Sequence, residues 1–170
     1  MTSSNVARFD EKEFRRVLGQ FATGVTIVTT RSKDGRPAGV TVNSFTSVSL
    51  KPPLVLWCLT RQSQNLSIFR KASHFAVNIL AADQHALSRK FASGARDKFA
   101  GVEYEEGKAG VPLLKGVTAR LICRKLRRLD GGDHDIFLGK VEEYSRTDGK
   151  PLVFHSGLYH IVTHHPDLPG

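Results

Sequence analysis

The sequence predicts a mainly β protein: an antiparallel barrel, closed or nearly closed, with a few peripheral helices. Three observations lead there. Beyond Gly24 the chain breaks into short runs rich in Val, Ile, Thr and Phe, of which roughly six or seven read as strands. Turn signals, Asp34-Gly35 and Asp130-Gly131-Gly132-Asp133, separate neighbouring runs. No regular strand–helix alternation appears, which argues against a parallel α/β sheet.

The first element departs from the β pattern. Asp10 is placed to cap a helix, Glu13 follows at capping-box spacing, and Phe9 and Phe14 are spaced as a hydrophobic staple. Phe14, Val17, Leu18 and Phe21 recur at helical intervals, so one face is apolar and the helix reads as a packing element. Residues 25–30 and 38–43 flank Asp34-Gly35 as a hairpin; Ala38, Val40 and Val42 share one face, and Gly39, Thr41 and Asn43 the other. Residues 54–59 follow the Pro52-Pro53 break, and 74–80 alternate Phe75, Val77 and Ile79. Residues 117–129 and 135–144 read as one long hairpin across Gly131-Gly132, and 152–161 as a last strand. Two short helices interrupt the strands: 64–71 with Ser63 as N-cap, and 84–91 capped by Asp83 with Leu87 and Phe91 inward.

A chain of 170 residues, 40% hydrophobic and without an internal linker, suits one domain over 1–170, with an ordered core of about 9–161 and short tails. No apolar run approaches the roughly 20 residues of a membrane span, and residues 1–5 lack the features of a signal peptide. Cys58 and Cys123 lie far apart and read as reduced core thiols, so the expected compartment is the cytoplasm. The net charge of +9 favours anionic partners. Its densest stretch holds Arg120, Arg124, Lys125, Arg127 and Arg128 with no aromatic among them, so it reads as a solvated strand face and not as a nucleic-acid surface.

Missing motifs narrow the chemistry. No GxGxxG follows a strand, residues 101–108 depart from a P-loop, and HExxH, EF-hand and GxSxG patterns are lacking. His160, His164 and His165 fall in or near a Pro-containing tail, and no metal is expected there. Glu103, Glu105 and Glu106 read as a solvated loop. A chain with no nucleophile constellation of its own suits an enzyme whose cofactor carries the chemistry.

Several runs together resemble the short-chain flavin reductase family, the reductase components of two-component flavin-dependent monooxygenases. They are 14–30 (FRRVLGQFATGVTIVTT), 42–50 (VNSFTSVSL) with Pro52-Pro53, 75–80 (FAVNIL), 98–101 (KFAG), 132–134 (GDH), and 151–157 with Tyr159. Each is weak alone; their order over residues 9–160 carries the likeness. The resemblance implies a split-barrel fold, a likeness to homodimers, and reduction of FMN or FAD by NADH, with NADPH as the alternative nucleotide. The reduced flavin would pass to a separate monooxygenase.

It also implies site residues. Asn43, Ser44, Phe45, Thr46, Ser47, Ser49 and Leu50 would hold the flavin ring and ribityl chain. Gln64, Asn65 and Leu66 would lie by the flavin phosphate, Arg70 and Lys71 would add positive charge, and Arg96 and Asp97 would make a further flavin contact. Phe154, His155, Ser156 and Gly157 would meet the nicotinamide nucleotide, and His134 would stand close to the flavin face as the catalytic residue that orients the nicotinamide. Read without the family, each position keeps an ordinary alternative. The hydroxyl run can form an Asx/Ser turn, Ser63 can cap a plain surface helix, Arg96 can pair with Asp97, His134 can be a solvated loop residue, and Phe154 can be core. Three rival functions stand beside the reductase: a flavin-binding split-barrel oxidase, a non-enzymatic flavin binder, and a basic nucleic-acid-binding barrel.

Overall fold

Residues 9–167 are described by the computed structural model, so the run 1–5 read above for a targeting signal lies outside the described residues. Helix α1 (Glu11–Leu18) starts where the sequence indicates. The Asp10 carboxylate accepts from the backbone N–H groups of Lys12 and Glu13 at 2.8 and 3.2 Å, and the Phe9 and Phe14 rings stand 5.1 Å apart. Glu13 takes Arg16 at 3.1 Å, so the capping box is half made. The expectation that the apolar stripe packs on the core is not met. Phe14, Val17, Leu18 and Phe21 are all exposed, Phe21 by 79%, because α1 lies outside the barrel.

The barrel starts after β1 (Thr23–Gly24), as β2 (Thr26–Arg31) turns through Gly35, at φ +85°, into β3 (Pro37–Val42). Then come β4 (Thr46–Leu50), β5 (Pro53–Thr60), α2 (Leu66–Lys71), β6 (His74–Ile79) and α3 (His85–Ala92). A small hairpin of β7 (Tyr104–Glu106) and β8 (Pro112–Leu114) precedes the long one, β9 (Ala119–Gly131) and β10 (His134–Arg146). The chain closes with β11 (Leu152–His155) and β12 (Leu158–Ile161). Seven strands form one antiparallel sheet in the order β3-β2-β6-β9-β10-β5-β4. It curls until β3 lies against β5 without a ladder between them. The Ser44 hydroxyl sutures that seam, accepting from the Cys58 N–H at 2.9 Å and donating to the Cys58 carbonyl at 3.0 Å. The result is a mainly β split barrel, as the sequence predicts.

Alternation along β5 sends Val55, Trp57 and Leu59 inward. There Trp57 stacks on Phe137 at 4.7 Å and meets Phe69 and Phe75 edge-on at 5.0 and 5.7 Å. Asp135 shares the inward face of β10 with Phe137 and is fully buried at the barrel mouth. Three arginines meet it: Arg70 at 2.7 Å, Arg128 at 3.2 Å and Arg61 at 3.3 Å. Hydrogen bonds from Arg70 foremost, with Arg128, hold its carboxyl far below the usual range. A second core, with Ile27, Leu80, Phe91 and Leu152, fills the space under α3 and the last hairpin.

The structure corrects several readings. The run 152–161 is two strands, because Ser156 and Gly157 take φ of 47° and 83° and reverse the chain. The serine-rich run 46–50, read as site residues and not as a strand, is the edge strand β4. Helix α2 begins at Leu66 with Asn65 at the cap position, and Ser63 instead accepts from the Asn65 N–H at 3.3 Å. Helix α3 has Gln84, not Asp83, at its cap position. Glu105 and Glu106 belong to β7, and the three glutamates 103, 105 and 106 pair with Lys115, Arg120 and Arg31. The basic stretch of β9 is largely committed: Arg120 reaches Glu105, Arg124 reaches Glu142, Lys125 donates to the carbonyls of Phe69 and Arg70, and Arg128 reaches Asp135. Both cysteines are free, and burial raises both thiols, Cys123 to about 12. Among the described residues no helix is long and apolar enough to cross a membrane.

Candidate functional site

The sequence-predicted residues fall mainly around β3 and the elements packed on it. Asn43 leaves β3 exposed, beside a cleft of about 200 Å³ that also has Thr41, Ser88, Phe154 and Tyr159 in its walls. The floor is tied together: Thr41 Oγ1 donates to the Ser88 carbonyl at 2.7 Å, and Ser88 Oγ lies 2.9 Å from the Tyr159 hydroxyl. Phe154 packs edge-on to Tyr159 at 5.6 Å. One residue from the expected flavin run and one from the expected nicotinamide run therefore share a cleft. Thr41, Ser88 and Tyr159 were not singled out as site residues in the sequence; only the Thr41–Asn43 face alternation hinted at them.

A second, smaller cleft, of about 60 Å³, brings together Gln64, Asn65, Arg96 and Asp97 beside the backbone of Pro37 to Gly39. Asn65 Nδ2 donates to the Gly39 carbonyl at 3.0 Å, which fixes the loop before α2 onto β3. Asp97 does not pair with Arg96; its carboxylate accepts from the N–H groups of Phe99 and Ala100 at 3.0 Å each and shapes the turn. Lys98 adds a second cation, its Nζ donating to the Phe91 carbonyl at 2.8 Å, with burial lowering its pKa. A Cβ on Gly39 would fall 2.5 Å from Phe91 Cε1, so only glycine permits this packing of α3 on β3. Gln64 and Asn65, expected by the flavin phosphate, lie just before α2. The Asn65 N–H is taken by Ser63, and α2 has only six residues. Cationic side chains remain to meet an anion there.

Between the clefts and the barrel runs the seam. Ser44 spends its hydroxyl on Cys58, Phe45 and Leu66 pack against the barrel core, and Leu50 is 87% exposed. Thr46 and Ser47 are exposed on β4, and Ser49 lies beyond a bulge in its pairing with β5. As the last strand of the sheet, β4 leaves its outward N–H and C=O groups without a ladder partner. Arg70 and Lys71 stand apart. Arg70 is committed to Asp135 through two bonds, and Lys71 faces a different cavity beyond α2.

His134 opens β10 opposite Thr60, and its Nδ1 lies 2.7 Å from the Asp133 carboxylate. An ionised carboxylate only accepts, so Nδ1 carries the proton and Nε2 is left for a ligand. His134 also holds the Asp133 carboxyl below its ordinary value, with a smaller pull from Arg15 on α1. Just past the C-terminus of α1, the Ser156 N–H donates to the Gly19 carbonyl at 2.9 Å and its hydroxyl accepts from Gln20 at 3.2 Å. The C-terminal end of α1 is thus tied to the Ser156-Gly157 turn. His155 lies 5.8 Å, ring to ring, from His160. Among the described residues no group of three or more His, Cys, Asp or Glu is placed to hold a metal.

These surfaces fit a flavin and a nicotinamide nucleotide. A flavin ring edge needs donors and acceptors, which the unpaired edge of β4 with Asn43, Thr46 and Ser47 presents. Its phosphate needs cations, and Arg96 and Lys98 line the smaller cleft. The comparisons with known proteins agree. The family described as flavin reductase like domain matches residues 18–163. An FMN reductase (NADH), SmoA, of Agrobacterium fabrum is 44% identical over 150 residues, covering 88% of this chain and 85% of the relative. The reductase subunit HsaB of a flavin-dependent monooxygenase from Rhodococcus jostii is 42% identical, covering 88% of this chain and 77% of that one. Among solved structures, the NADH:FAD oxidoreductase SgcE6 of Streptomyces globisporus C-1027, in complex with NAD and FAD fragments, superposes with a TM-score of 0.86 at 40% identity, covering 94% of this chain and 96% of that one. On its split barrel, its clefts and this likeness along nearly its whole length, the chain belongs to the flavin reductase like domain family.

Proposed function

We propose that this chain is an NAD(P)H:flavin oxidoreductase that reduces FMN or FAD, with NADH as the expected donor and NADPH as the alternative. Bound flavin supplies the acceptor for the hydride. The observation that carries the reading is the family match over residues 18–163, joined to relatives named as NADH-dependent flavin reductases. The chain's own task is alignment and partial exclusion of water, which needs no acid–base pair. In this reading Asn43, Thr46, Ser47 and Ser49 with the β4 backbone hold the ring and ribityl chain, and Asn65, Arg96 and Lys98 hold the phosphate. His134 offers Nε2 to the nicotinamide carboxamide, and Phe154 to Gly157 frame the nucleotide. The reduced flavin goes to a separate flavin-dependent monooxygenase, in line with the relative named as a monooxygenase reductase subunit.

A homodimer in the cytoplasm completes the proposal. The exposed stripe of α1 with Leu158 and Ile161 on β12 supports the dimer, since such apolar surface calls for a cover. The two unpaired cysteines support the compartment. The rival nucleic-acid barrel loses its main support, because four cations of the β9 stretch are committed within the protein.

Purified protein mixed with NADH and FMN or FAD should lower the nicotinamide absorbance only when flavin is present. A folded preparation that does so with neither flavin and neither nucleotide contradicts the reading. His134→Ala should lower kcat/KM for NADH by about tenfold, the worth of one hydrogen bond, while flavin affinity stays near wild type. Unchanged kinetics would return His134 to a solvated turn.

A further inference from the structure

We infer that the cavity between α2 and the β2–β3 hairpin is a seat for the adenosine phosphate half of a dinucleotide, so that FAD is held at two surfaces where FMN is held at one. The inference rests on the flavin reading above. The cavity measures about 280 Å³, with Arg31, Lys33 and Arg36 on the hairpin side and Ser67, Ile68 and Lys71 on the helix side. Those cations face one acid, Asp34, which is already bonded to Ser32 and Arg36. Arg31 is held in place by the carbonyls of Gly110 and Gly35 and by an ion pair with Glu106. Neither Lys33 nor Lys71 has a carboxylate within ion-pair reach among the described residues. Lys33 on the hairpin wall and Lys71 on the helix wall therefore face a shared space without an acidic partner, which is the electrostatic form of an anion site.

Size and position name the ligand class. The volume lies near the lower end of ligand pockets, about 300 Å³, enough for a nucleotide fragment. Ile68 and the aliphatic stems of the surrounding Arg and Lys side chains give a purine ring an apolar wall, and guanidinium planes stack on it. The cavity adjoins the cleft assigned to the flavin phosphate. Consecutive residues Arg36 and Pro37 lie one in each, as do Asn65 and Ser67 two positions apart. A ligand whose first phosphate rests by Asn65 and Arg96 has its next group at the mouth of this cavity. FMN ends at that phosphate; FAD continues with a second phosphate and adenosine. A nicotinamide dinucleotide carries the same half, and kinetics separate the two sources.

Calorimetric titration with ADP and with adenosine, on wild type, Lys33→Glu and Arg36→Ala, tests the seat directly. Wild type should bind ADP and not adenosine, and each variant should weaken ADP by about tenfold or more. FAD affinity should fall by a similar factor while FMN affinity stays within about twofold. If FAD is untouched and the KM for NADH, measured with FMN, rises instead, the seat serves the nicotinamide nucleotide. Absence of ADP binding to wild type, or equal losses for FAD and FMN, overturns the inference. ADP binding requires no turnover, so a chain that binds ADP but never oxidises NADH would sink the reductase reading and leave the seat standing.

Discussion

Asp135 puts a full negative charge at the mouth of an aromatic core and meets it with three arginines from three segments. Those arginines keep 39–45% of their side-chain surface, so they stay partly hydrated when the acid is removed. Asp135→Asn should therefore cost about 3 kcal/mol, the lower end for breaking a buried pair. The folded carboxyl is depressed, so its contribution is complete at neutral pH. It is lost as pH falls below the unfolded value of roughly 3.9 towards the lower folded one. Urea denaturation across acid pH should show that decline in wild type and a flatter one in the variant; parallel profiles would mean that Asp135 contributes nothing through its charge. Gly39→Ala must displace Phe91 and should cost about 1–3 kcal/mol, read as a lowered Tm. The sequence showed both positions without their meaning. Asp135 stands in phase with Phe137 on a strand, the one local hint that a charge faces inward, and Gly39 reads only as a strand glycine until Phe91 is seen against it.

Helix α1 was legible as a helix because cap, staple and apolar stripe are local features. What the stripe faces is not local, and within one chain it faces solvent. A second copy over α1 and β12 should make Phe14→Asp/Phe21→Asp monomeric by light scattering with β content retained. A variant as large in solution as wild type would remove α1 from the interface. Other elements were missed for physical reasons. β4 is built from serines and threonines that read equally as turn or strand, and it owes its pairing to β5. The Ser156-Gly157 reversal carried a turn signal, but the apolar residues on both sides made a single run seem continuous. Ser63 is not the cap residue because α2 starts at Leu66, with Asn65 at the cap position and its side chain bonded to the Gly39 carbonyl on β3, a contact no local pattern encodes. Of the expected site residues, Gln64, Asn65, Arg96 and Asp97 meet in one cleft and Asn43 and Phe154 in another, while Arg70 and Ser44 are drawn to other partners and Lys71 lines a separate cavity.

The molecule as a whole is a barrel with one sutured seam, an unpaired edge strand beside it, and cationic clefts along α2 and β3. Its excess of positive charge suits anionic nucleotides as ligands more than long polyanions, since the densest cationic strand is tied into the fold. Both thiols lie raised by burial, so alkylation of the native protein should be slow and leave turnover intact; rapid loss of activity would place Cys58 at the site. The central claim is transfer of hydride from a nicotinamide nucleotide to flavin on this surface. Anaerobic mixing of the protein with NADH and oxidised flavin, followed at the flavin absorbance band, measures that step alone. The band should bleach one-for-one with NADH consumed, and only when protein is present. NADH consumption without flavin bleaching, or folded protein that leaves both FMN and FAD oxidised with either nucleotide, would contradict it.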